Sequence, residues 1–99
     1  MRHARVLVID DDPGLHSLID LHLDAVADDI QHALSALEGL RLAGEHTPDV
    51  ILLDIDMPDL DGFEVCRRLM ETEATRHVPV VFLTGDSDAH HVAKALDCG

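Results

Sequence analysis

Three apolar runs punctuate the chain, and none of them alternates apolar with polar residues. Val6-Leu7-Val8-Ile9 leads into Asp10-Asp11-Asp12, the run at 50–53 leads into Asp54, and the run at 78–83, interrupted by Pro79, leads into Thr84-Gly85-Asp86. Unbroken Val, Ile and Leu at this length predict strands buried on both faces, as in a parallel sheet covered by helices. Each run ends on polar or acidic residues, so these residues gather at the carboxyl edge of the sheet. A less apolar stretch at 29–33 is expected to add a further strand.

Helical spacing fills the intervals. Asp12-Pro13 pairs an N-cap acceptor with a proline suited to the first helical position. Leu15, Leu18, Ile19, Leu23 and Val26 then share one helical face. A second helix is predicted over 35–45, with Leu37, Leu40 and Leu42 inward. Asp61-Gly62 opens a third, with Phe63, Cys66, Leu69 and Met70 on one stripe. Ser87 or Asp88 caps a fourth, with Ala89, Val92, Ala93 and Leu96 inward. The order β-α-β-α-β-α-β-α predicts an α/β parallel sheet with right-handed crossovers. Ligands of such sheets sit beyond the carboxyl ends of the strands, at the topological switch point.

Composition narrows this picture. Ninety-nine residues make one domain, and 46% hydrophobic residues suffice for its core. Aromatics are only 2%, so that core is aliphatic. Seven Lys and Arg stand against twenty Asp and Glu, a net charge of −13. Nucleic acid and anionic membranes would be repelled, so direct binding to either is not expected, and divalent cations or basic partners are favoured. The first apolar run is too short for a signal peptide or a membrane span, which predicts a soluble cytoplasmic protein. Cys66 and Cys98 lack metal-site spacing and are expected to be reduced. His3, His16, His22, His32, His46, His77, His90 and His91 are expected at the surface, and adjacent His90 and His91 point in different directions.

The sequence ends on Asp97-Cys98-Gly99, at the close of the predicted fourth helix. A fifth strand and helix would add roughly 17 residues and a loop. The chain is therefore expected to be a domain over 1–99 that is incomplete at its C-terminus. Its run at 78–83 would then be an open edge, suited to a homodimer or to strand exchange.

The chemistry lies in the aspartates. Asp10, Asp11 and Asp54 follow two different strands, and neighbouring strands would bring three carboxylates into one pocket. Like charges at that range disfavour joint ionisation, and a divalent cation relieves the conflict. Hard oxygen ligands in an incomplete set suit Mg²⁺. A carboxylate nucleophile can form an acyl phosphate, with Thr84 placed to hydrogen-bond it. Taken singly, each piece is ordinary: an aspartate after a strand is commonly a helix cap, and Asp12 fits that role. Their common position at one sheet edge is what points to a site.

These stretches resemble the receiver domain of bacterial two-component response regulators. The resemblance is carried by the run 6–13 with Asp10-Asp11-Asp12-Pro13, the run 49–58 with Asp54-Ile55-Asp56-Met57-Pro58, Asp61-Gly62, and the run 80–85 ending in Thr84-Gly85. It implies a flavodoxin-like (CheY-like), doubly wound sheet of order 2-1-3-4-(5) in three α/β/α layers, with the fifth strand and helix missing. It further implies Asp54 as phosphoryl acceptor, and Asp11 as a direct Mg²⁺ (or Mn²⁺) ligand with Asp10 acting largely through water. Asp56 would contribute its backbone carbonyl, and Thr84 would be the switch hydroxyl. Met57, Pro58, Gly85 and Asp86 form the pocket rim. The implied partners are a sensor histidine kinase or phosphotransfer protein, and an output domain or downstream partner.

Three departures stand beside that resemblance. The family's lysine at the end of its fifth strand would lie beyond Gly99. Gly85 stands where Ala is common, which loosens the switch loop. Asp56 and Asp86 add negative charge at the rim, which predicts a stronger dependence on the cation. Two other readings compete: a receiver-like docking module that is never phosphorylated, and a dehalogenase-type phosphatase using Asp54-Ile55-Asp56, with the second Asp as acid/base.

Overall fold

A computed structural model describes residues 4–23, 29–55, 57–83 and 94–95. β1 (Arg5–Ile9), α1 (Pro13–Leu23), β2 (Asp29–Ala33), α2 (Ala36–Glu45), β3 (Val50–Asp54), α3 (Gly62–Glu71), β4 (Val80–Leu83) and β5 (Lys94–Ala95) follow in chain order. The sheet runs β2-β1-β3-β4-β5. The first four strands are parallel, with Val6 beside both Ile30 and Val50, and Leu53 beside Phe82. This is the doubly wound, flavodoxin-like order.

The strand runs behave as their composition demands. Leu7, Val8 and Ile9 in β1 have no exposed surface, and Ile51 and Leu53 in β3 are equally buried. Residues of both parities are covered, so β1 is enclosed on both faces. β2 is the half-exposed flank of the sheet. Pro79 stands just before β4 and supplies only its carbonyl, which accepts from Ile51 N at 3.0 Å.

Small residues set how closely α2 packs. Ala36, Gly39 and Ala43 are its buried positions. A Cβ on Gly39 would fall 2.5 Å from Cδ1 of Ile9. Leu37, expected inward, is instead 56% exposed, because the helix presents its small residues to β1. Phe63 departs in the same way: it is exposed, while Val65, Cys66 and Leu69 make the buried face of α3. Its ring still lies 5.2 Å from that of buried Phe82.

Two further expectations are corrected. Lys94 and Ala95, predicted within a fourth helix, pair antiparallel with Phe82 and Val81. The outer edge of β4 offers backbone groups that need partners, and these two residues supply them. The other residues of the predicted fourth helix lie outside the described residues. Cys66, expected as a free thiol, is disulfide-bonded.

Candidate functional site

The register of β1 and β3 builds the site. Ile9 and Leu53 are partners, so Asp10 and Asp54 emerge side by side at the carboxyl edge. One carboxylate oxygen from each of Asp10, Asp11 and Asp54 lies within 4.8 Å of the others. Asp10 and Asp54 are buried and Asp11 is exposed, so the cluster opens to solvent on one side.

Asp10 is fixed from three directions. Its N–H donates to the Ala33 carbonyl at 3.1 Å. Its Oδ1 accepts from the Asp12 N–H at 2.8 Å. Its backbone carbonyl accepts from Nε2 of His16 at 2.7 Å. Burial pushes its carboxyl above the ordinary aspartate value; the Asp12 N–H opposes this, and the Asp11 charge adds to it. An ionised Asp10 therefore sits in an environment that disfavours it until positive charge arrives. Three hard oxygen donors, two of them desolvated, suit a small divalent cation. Asp12 is the expected cap, accepting from Gly14 N at 2.9 Å.

The turn after β3 closes against α3 through Gly62. Its N–H donates to the Ile55 carbonyl at 2.7 Å. A Cβ there would meet the Asp54 carbonyl oxygen at 2.6 Å and Ile55 Cα at 2.8 Å, so only glycine fits behind Asp54. Met57 is buried and Pro58 is exposed. Asp56, Thr84, Gly85 and Asp86 lie outside the described residues.

Two contributors went unseen in the sequence. Asp59 reaches across to α2, accepting from Ala36 N at 3.1 Å and Leu37 N at 3.0 Å. The second is His16, expected at the surface but only 6% exposed. His16 and Asp20 stand one turn apart on α1, and that spacing was the available signal.

A family model described as the response regulator receiver domain matches residues 6–99. The chain belongs to the response regulator receiver domain family. This receiver domain is 38% identical over 95 residues to the DNA-binding dual master transcriptional regulator RpaA of Synechocystis, covering 96% of this chain and 39% of that protein. It is 42% identical over 96 residues to the response regulator PleD of Caulobacter vibrioides, covering 97% of this chain and 21% of that protein. The chain thus spans well under half the length of these relatives. Among solved structures, the N-terminal domain of a response regulator receiver protein from Methanoculleus marisnigri is similar, with a TM-score of 0.77 at 32% identity over 87% of this chain and 70% of that one. The chemotaxis response regulator CheY4 of Vibrio cholerae gives 0.80 at 25% identity, covering 88% and 72%. No described helix is long and apolar enough to cross a membrane.

Proposed function

We propose that this receiver domain accepts a phosphoryl group on Asp54 from the phosphohistidine of a sensor histidine kinase or a phosphotransfer protein. The observation that carries this is the convergence of the Asp10, Asp11 and Asp54 carboxylates within 4.8 Å at the end of β1 and β3. A carboxylate oxygen of Asp54 forms the new P–O bond, the P–N bond of the donor breaks, and its imidazole leaves. Asp10, Asp11, Asp54 and the Asp56 backbone carbonyl would hold Mg²⁺ (or Mn²⁺). Bound there, the cation screens the incoming dianion and stabilises charge on the transferring group.

The residues around Asp54 keep it in place rather than react. Gly62 lets α3 begin directly behind it, and the ties on Asp10 hold the opposing carboxylate. Thr84 is the switch hydroxyl in this reading, with Gly85 and Asp86 at the rim. The readout is an output domain or a partner, and the compartment is the cytoplasm. The net charge of −13 argues that this domain does not itself touch nucleic acid, whatever its longer relatives bind.

Incubation with acetyl phosphate and Mg²⁺, followed by intact-mass measurement, tests the reading. One phosphoryl group should add to the wild-type chain and none to an Asp54→Asn variant. Absence of labelling by both acetyl phosphate and beryllofluoride would instead leave a docking module that is never phosphorylated.

A further inference from the structure

A hydrogen-bonded chain of side chains runs from the sheet flank to the acidic site. Asp20 Oδ1 lies 2.9 Å from Nε2 of His32. Nδ1 of His32 lies 2.6 Å from Nδ1 of His16. Nε2 of His16 reaches the Asp10 carbonyl at 2.7 Å. The two rings meet edge-on, with centroids 4.7 Å apart and an interplanar angle of 73°.

The proton inventory of this chain is constrained. A carbonyl and a carboxylate only accept, so each Nε2 carries a hydrogen. The two Nδ1 atoms face each other across the 2.6 Å contact. Apolar residues at these positions would offer the Asp10 carbonyl no donor.

From this geometry we propose that His16 and His32 are positioning residues for the cation-binding site. β2 grips Asp10 by two routes. Ala33 takes its N–H directly, and His32, the preceding residue, holds its carbonyl through His16. The backbone is thereby fixed on both sides of the Asp10 Cα, which sets where the Asp10 and Asp11 carboxylates stand relative to Asp54. Residues that orient metal ligands typically change affinity about 10–100-fold when removed. The proposal rests on the phosphoryl-acceptor reading and names residues that serve it without touching cation or phosphate.

The test uses the whole chain with His16→Leu, His16→Gln, His32→Leu and, as a control, Asp11→Asn. Mg²⁺ affinity is measured by calorimetric titration and Asp54 labelling by acetyl phosphate, with circular dichroism reporting folding. His16→Leu and His32→Leu should each weaken Mg²⁺ binding about tenfold or more, with labelling slowed at low Mg²⁺. His16→Gln, whose amide can donate to the Asp10 carbonyl, should recover part of the loss. His32 is partly exposed, so His32→Leu carries the test if His16→Leu does not fold. Mg²⁺ affinities within about twofold of wild type in folded leucine variants, alongside a lost affinity in Asp11→Asn, would overturn the positioning role alone. A wild-type chain that binds no Mg²⁺ would overturn both this role and the reading of the site.

Discussion

At the residue scale, Asp59 and Gly62 show how the loop after β3 is locked. Asp59 caps a helix that is not its own, and those two backbone N–H donors hold its carboxyl below the ordinary value of 3.8, the Leu37 N–H most strongly. An acid whose folded pKa is depressed contributes stability above its unfolded pKa and loses it as pH falls through the folded one. Asp59→Ala should therefore melt below wild type at neutral pH, by about 1 kcal/mol as helix caps go. The gap should close on acidification below 3.8. Parallel thermal melts of both chains across pH check this; a gap that stays constant to low pH would show that the charge contributes nothing. Gly62→Ala drives a methyl group into backbone rather than into a movable side chain. Overpacking of this kind costs about 1–3 kcal/mol. Because the atoms struck belong to Asp54 and Ile55, Asp54 labelling should fall along with melting temperature. Unchanged labelling in the folded variant would refute the link between Gly62 and the acceptor.

At the level of elements, α2 separates what periodicity can and cannot reveal. Its start was legible: Ser35 accepts from Glu38 N at 3.2 Å, and the Glu38 side chain accepts from the N–H of Leu34, one residue before the cap, at 3.2 Å. Its inward face is not its most hydrophobic one. Hydropathy ranks Leu37 above Ala36 and Gly39, but the helix lies so close to Ile9 that only small side chains fit between them. Close approach is a property of the pair of elements, and one element's sequence does not encode it. Leu37→Gln should accordingly shift stability by less than about 0.5 kcal/mol in denaturant melts, whereas Gly39→Leu should cost several times more. Equal effects would contradict the assigned face. β1 and β3 were readable because burial on both faces leaves a continuous apolar run, and the aspartates after them marked the site edge. The His16–His32 contact was not, since it depends on α1 lying across β2. Nor was the pairing of Lys94 and Ala95, where a need for backbone partners along β4 overrides local helical spacing.

For the whole molecule, the dominant quantity is charge. Twenty acidic residues against seven basic ones give −13, and the acidic cluster concentrates three of those charges at one sheet edge. Two cation effects follow and differ in form. Diffuse screening depends on ionic strength and acts on every exposed charge. Site binding depends on Mg²⁺ concentration at fixed ionic strength and adds stability as RT ln(1 + [L]/Kd), about 2.7 kcal/mol at a hundredfold excess over Kd. Melting temperature at constant ionic strength should therefore climb with Mg²⁺ along that logarithmic curve. Asp11→Asn should flatten the curve, while an exposed acid away from the site, such as Glu73, should leave it unchanged when substituted by Gln. The charges of Asp56 and Asp86, placed at the rim by the family resemblance alone, bear on the same experiment. If Asp56 and Asp86 repel anionic phosphodonors, the double substitution Asp56→Asn with Asp86→Asn should raise acetyl-phosphate labelling most at low Mg²⁺, where no cation offsets them. The gain should shrink as Mg²⁺ saturates the site. A gain independent of Mg²⁺, or none, would mean that the cation and the rim act on different steps.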